Sequence, residues 1–160
     1  MPANDLIVSL RDSKIFNGLS DNELETASAY GSVEKYEPNR ILIHEGEIGT
    51  VLYIILKGTA EVFLPKKSDF SNAARATRIK LGRLDQGDCM GEYSVIDNNP
   101  ASASVVTLGE CTLFTLPKAN FEEIINLNDH FAKQIYRNML NVLIKRSRDA
   151  DKELDLCFII

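Results

Sequence analysis

The period of the apolar positions changes twice along the chain, and each change marks a change of element type. Residues 1–32 read as short helices. Ser20 and Glu23 stand at capping-box spacing, and Leu19 and Leu24 at the spacing of a hydrophobic staple. Leu24, Ala27 and Ser28 continue at helical intervals, and Gly31 is placed to stop the helix. From Val33 to Leu116, short β-rich runs alternate with turn residues: "ILIH", "VLYIIL", "TAEVFL", "TRIKLGRL", "ASVVTL" and "CTLFTL". In "TAEVFL" the residues Ala60, Val62 and Leu64 alternate with Thr59, Glu61 and Phe63, the period-two pattern of a half-buried strand. The polar stretch from Pro65 to Ala76 is expected to be a mobile connection between strands.

After Pro117 the helical period returns. "KANFEEIINL" is a short amphipathic piece, and Asn128 or Asp129 is positioned to cap a longer helix. On that helix Ala132, Tyr136, Met139, Leu143, Ala150, Leu154 and Cys157 form a heptad-like seam, interrupted by a polar gap at Arg146-Ser147. Phe131, Ile135 and Val142 make a second face, so one face can pack on the strands while the other meets a partner. Short strands at near-regular spacing, flanked by helices, predict a mainly β domain: a closed sandwich or jelly roll (double-stranded β-helix) with N-terminal helices and two C-terminal helices. The expected division is 1–32 helices, 33–116 jelly roll and 117–160 helices, all within one domain, 1–160.

Composition narrows the function. The 160 residues carry a net charge of −5, against the broad basic face that general nucleic-acid binding needs. No apolar run approaches the roughly 20 residues of a membrane-spanning helix. The N-terminus lacks the basic start and long apolar core of a secretory signal. Three scattered cysteines, Cys89, Cys111 and Cys157, fit a reducing cytoplasm better than a disulfide framework or zinc site. His44 and His130 have no second ligand at metal spacing, and no nucleophile–base pair stands out. The expectation is therefore no catalytic residues, no metal and no cofactor. The tail "CFII" has the outline of a prenylation box, but Ile is not a usual terminal residue and no polybasic run adjoins it. An apolar helix end is the preferred reading.

Three phrases carry the chemistry: "HEGEIGTVLYIILKGTAEVF", "LDQGDCMGE" and "GEYSVIDNNPASASV". In combination they resemble the cyclic-nucleotide-binding domain family, the type of catabolite activator protein and of the protein kinase A regulatory subunit. The resemblance covers nearly the whole chain. It implies a phosphate-binding cassette: a Gly-Glu pair, a short helix, then an arginine followed by small residues. Gly91 and Glu92 match the pair, with Glu92 in the position that accepts from a ribose hydroxyl. Tyr93 and Ser94 open the short helix, and Pro100 precedes the arginine position. Ala101 occupies that position, or Ser102 on the longer spacing, and Ser102 and Ala103 match the small residues that face the phosphate.

The cassette therefore lacks its cation. Losing one partner of a buried, hydrogen-bonded charge pair costs about 2–5 kcal/mol. That is a weakening of roughly tens- to thousands-fold. Arg83, Lys57, Arg75, Arg78 and Lys80 are the candidate replacements. Two functional classes follow. One is a non-catalytic regulatory module with a degenerate cassette, weak or altered cyclic-nucleotide binding and signalling through the C-terminal helix. The other is a ligand-free scaffold whose C-terminal helix binds a protein partner or a second copy. The DNA-binding relatives continue into a helix-turn-helix, for which the 160 residues leave no room, so direct DNA binding is not expected.

Overall fold

A computed structural model describes residues 2–158, with side-chain surroundings through residue 156. The "CFII" reading lies outside those side chains. Two helices come first, α1 (Ala3–Arg11) and α2 (Asp21–Tyr30). Six strands follow: β1 (Ser32–Tyr36), β2 (Ile41–Ile43), β3 (Val51–Lys57), β4 (Ala60–Leu64), β5 (Ile79–Leu84) and β6 (Cys89–Met90). A short helix α3 (Glu92–Asp97) separates these from β7 (Ser104–Thr107) and β8 (Cys111–Pro117). The chain finishes in α4 (Lys118–Leu127) and α5 (Asp129–Phe158). The strands form two four-stranded antiparallel sheets, ordered β1-β8-β3-β6 and β2-β7-β4-β5. The fold is the expected one, mainly β with flanking helices.

The central strands of the first sheet, β8 and β3, are buried on both faces, which explains their unbroken apolar runs. Leu52, Ile54 and Leu56 of β3, with Phe114 and Leu116 of β8, pack against α1, α2, α4 and α5. Ile55 and Leu113 point the other way, toward Ala60, Leu84 and Val105 of the second sheet. Phe16 joins the helical layer to the sheet: its ring meets Phe114 edge-on at 6.3 Å and Phe131 of α5 at 6.3 Å.

Several local expectations hold. Ser20 and Glu23 make the reciprocal capping box, and the staple residues Leu19 and Leu24 are buried. Asn128 caps α5, its side-chain oxygen accepting from the amides of His130 (2.9 Å) and Phe131 (3.3 Å). Gly31 does end α2, but in an extended conformation. Its requirement is space, because a Cβ there would fall 2.1 Å from Cζ of Phe114.

Other expectations need correction. β1 and β6 have no counterpart among the apolar runs, since "SVEKY" is largely polar and β6 is only two residues long. The alternation in β4 is broken by a register shift between Val62 and Phe63, so Ala60 and Phe63 are its buried residues. The polar connection from Pro65 to Ala76 is tied down rather than loose. Arg75 forks onto the Glu45 carboxylate (2.6 and 2.9 Å), Ser68 donates to the Glu45 carbonyl (2.7 Å), and Lys67 bridges Ala74.

The two faces of α5 are also reassigned. Phe131, Ile135 and Met139 are buried together, while Tyr136 and Leu154 of the expected seam are exposed, as is Leu140 outside it. Asn138 fixes this half of the helix by donating to the carbonyls of Ile15 and Asn17, both at 2.7 Å.

Replacing Gly31 with alanine drives a methyl group into the fully buried Phe114 ring. Overpacking of this kind costs about 1–3 kcal/mol. The expected result in a thermal melt is a Tm lowered by several degrees, at roughly 2–4 °C per kcal/mol for a chain of this size. An unchanged Tm means that the Phe114 layer accommodates the methyl group without strain.

Candidate functional site

The inner walls of the jelly roll enclose a cavity of about 810 Å³. Its apolar wall is made by Leu42, Ile43, Tyr53, Val62, Leu84, Met90 and Val105, residues of both sheets. The 91–103 segment forms one side of the opening and α5 the other. All seven expected cassette positions line this one cavity: Gly91, Glu92, Tyr93, Ser94, Ala101, Ser102 and Ala103.

Local geometry explains the cassette-like composition. Gly91 turns the chain from β6 into α3 with φ +85°, and an added Cβ would lie 2.4 Å from the carbonyl oxygen of Val51. Both the left-handed backbone and the close approach demand glycine. Asn98 ends α3, also left-handed at φ 61°, and Asp97 accepts from the Asn99 amide at 2.8 Å. Ser94 donates to the Asn99 carbonyl at 2.9 Å and so closes the loop on the helix. Ala101 is clamped to the 46–47 turn, donating to Glu47 O and accepting from Gly46 N, each at 2.8 Å. Ser104 Oγ accepts from the Glu45 amide at 2.9 Å. The small residues thus sit where backbone lies against backbone, and no charge stands at Ala101 or Ser102.

None of the five expected replacement cations serves the cassette. Arg75 is held by Glu45, Arg78 and Lys80 by Glu61, and Arg78 also lies over the Phe63 ring at 3.9 Å. Lys57 does not line the cavity. Arg83 does, but it is paired with Asp85 at 2.8 Å.

The cation that reaches the cassette is Arg146 of α5, which was read in the sequence as a polar gap. Its guanidinium pairs with the Glu92 carboxylate and donates to the Cys89 carbonyl at 2.7 Å. Glu92 is almost wholly buried, with 4% of its side chain exposed. Burial is the strongest single influence on Arg146 and works against its charge, but the Glu92 carboxylate together with Cys89 and Tyr93 outweighs it and keeps the guanidinium more firmly protonated than usual. A signal for Arg146 was present in the sequence. Ile135, Met139, Val142 and Arg146 follow one another at steps of four, three and four, the spacing of a single helix face.

The charge balance of the cavity is unlike that of an anion site. Its four cations are all engaged: Lys14 with Asp88, Arg83 with Asp85, Lys145 with Asp149 and Arg146 with Glu92. Glu47 and Glu153 also line it and form no ion pair among the described residues. The Cys89 thiol beneath the cassette is pushed up strongly by burial and by the Glu92 carboxylate, so it presents no thiolate nucleophile. Among the described residues no three histidine, cysteine or carboxylate side chains gather as a metal site. No helix there is long and apolar enough to cross a membrane.

With this geometry in view, comparison with known proteins is informative. The chain is 26% identical over 147 residues to the Cyclic AMP receptor protein of Thermus thermophilus, covering 92% of this chain and 63% of that protein. It is 28% identical over 130 residues to the cAMP-dependent protein kinase regulatory subunit of Neurospora crassa, covering 79% of this chain but only 33% of that one. It therefore spans less than two thirds of these relatives. The crystal structure of the Thermus thermophilus Catabolite Activator Protein superposes with a TM-score of 0.72 at 26% identity, over 91% of this chain and 63% of that one. The regulatory subunit of a cAMP-independent protein kinase A from Trypanosoma brucei superposes with a TM-score of 0.66 at 25% identity, over 89% and 46%. Residues 33–128, more than half of the chain, match the family model described as Cyclic nucleotide-binding domain, and the chain belongs to that family.

Proposed function

We propose that this chain is a non-catalytic regulatory module whose phosphate-binding cassette is degenerate. On this reading it binds a cyclic nucleotide weakly or takes an altered ligand, and signals through α5. One observation carries the proposal: all seven cassette positions surround a single cavity walled on its other side by α5, yet the arginine position is Ala101. The cavity offers an apolar wall for a flat ring system and a buried carboxylate, Glu92, for a hydroxyl. A phosphate entering it meets four cations already paired with carboxylates. Of these only the Arg146–Glu92 pair is buried, and breaking it offsets much of the gain from a new contact. Family membership does not by itself demand cyclic AMP, since one structural relative is the regulatory subunit of a kinase named as cAMP-independent.

Signalling through α5 follows from its position. The helix lines the cavity with Val142, Leu143 and Arg146 and then continues to Phe158, so a change at the cassette is felt along an element whose outer face is exposed. The competing reading, a ligand-free scaffold, draws on that same outer face, where Tyr136, Leu140, Ile144 and Leu154 are exposed.

Isothermal titration with cyclic AMP, cyclic GMP and a cyclic dinucleotide separates the two. A sensor gives heat with at least one of them, and Glu92→Ala abolishes it; silence with all three supports the scaffold. The cassette itself is tested by Ala101→Arg. A restored guanidinium is expected to tighten cyclic-nucleotide binding by about tenfold or more, or about 1.4 kcal/mol. No gain shows that the loop has drifted by more than this one side chain.

A further inference from the structure

The two halves of α5 are held in different ways. From Asp129 to Met139 the helix is fixed by three buried apolar side chains, Phe131, Ile135 and Met139, and by Asn138 bonded to the carbonyls of Ile15 and Asn17. Beyond Met139 no described side chain of α5 is fully buried. Val142 and Leu143 are half-buried, and Lys145, Asp149 and Lys152 pair only with one another. Among the described residues, the side-chain hydrogen bonds from this half to the rest of the protein all come from Arg146. They go to Glu92 and to the Cys89 carbonyl.

We propose that Arg146 is an internal ligand of the cassette: it occupies the Glu92 carboxylate, and by doing so latches the second half of α5 over the cavity. Glu92 is nearly inaccessible to water, so its charge needs a partner, and the helix supplies one. A hydroxyl-bearing occupant that takes Glu92 must compete with the guanidinium, and its entry loosens the helix from residue 140 onward. Occupancy and release of α5 are then one exchange of partners at Glu92. A ligand that leaves the Arg146–Glu92 pair intact would not move the helix. Identifying Glu92 as the ligand carboxylate rests on the function proposed above, but the latch does not, because it is formed by the protein's own side chains.

The latch is tested on the ligand-free protein by hydrogen–deuterium exchange. A helix segment of this length without tertiary support is only marginally stable in water. In Arg146→Ala, exchange of the amides of residues 142–150 should rise about tenfold or more, while residues 131–139 keep wild-type protection. Glu92→Ala should give the same local pattern, and the double variant should add little to either single change because both remove one interaction. Arg146→Lys, which keeps the charge but cannot fork to both acceptors, should fall between. Arg148→Ala, at an exposed position, should match wild type. Exchange of 142–150 unchanged in both alanine variants overturns the latch, and so does an equal rise in both halves of α5. The nucleotide titrations stand apart from this result: silence there with local release here removes the sensor reading and leaves the latch in place.

Discussion

Burial of β8 and β3, the central strands of the β1-β8-β3-β6 sheet, on both faces is the constraint from which the rest of the structure follows. Leu52, Ile54 and Leu56 alternate with Tyr53 and Ile55 along β3, and both sets are needed because helices cover one side and the second sheet the other. Phe114 lies at the centre of the helical side. Its ring fixes Phe16, requires glycine at position 31, and through Phe16 reaches Phe131 at the start of α5. A sheet held this rigidly can leave a cavity behind it, because the layer that resists collapse is packed from the opposite face. The inner surface of the same sheet supplies part of the apolar wall of the candidate site through Tyr53 and Met90, and the second sheet supplies the rest.

The cavity separates what a loop's backbone requires from what its side chains supply. Gly91 is required by a left-handed turn and by the Val51 carbonyl; the main chain at residue 101 is held by the clamp to residues 46 and 47. These demands act on the main chain and persist whatever the cavity holds. A charge at position 101 answers only to a ligand. Its absence beside an otherwise intact loop separates the two kinds of requirement. Glu92 belongs to both kinds here, because its charge is also satisfied by Arg146 from within the protein.

What the sequence revealed divides along the same line. Periodicity and turn placement exposed the fold class, residue spacing exposed the capping box of α2, and the cassette positions came from the resemblance of three phrases to a known family. β1 escaped because three of the five residues in "SVEKY" are polar or charged, and β6 because two residues have no period. The anchored stretch from Pro65 to Ala76 read as loose because its main restraint, Arg75 on Glu45, joins residues thirty positions apart. Arg146 was the costliest omission. It lies 54 positions from Glu92, on a helix outside the strand region that holds the expected replacement cations. Had the stripe Ile135-Met139-Val142 been followed one step further, an arginine on the buried face of a helix would have stood out, because a charge at an inward position needs a partner.

That inward arginine changes what the helix can be. A long C-terminal helix with an apolar stripe can rest on a barrel through burial alone, and such a contact is indifferent to what fills the cavity. A contact made through a buried carboxylate is not indifferent, because that carboxylate has limited capacity and lies at the cavity's edge. The first half of α5 is of the former kind and the second half of the latter, with the change falling at Met139. The boundary between permanent and exchangeable docking is therefore set by side-chain chemistry within one continuous helix, with no hinge in the backbone. On the proposed reading, a protein built this way joins the cassette to the helix without any charge at position 101. The ion pair that joins them needs only Glu92 and Arg146, and neither depends on the side chain at position 101.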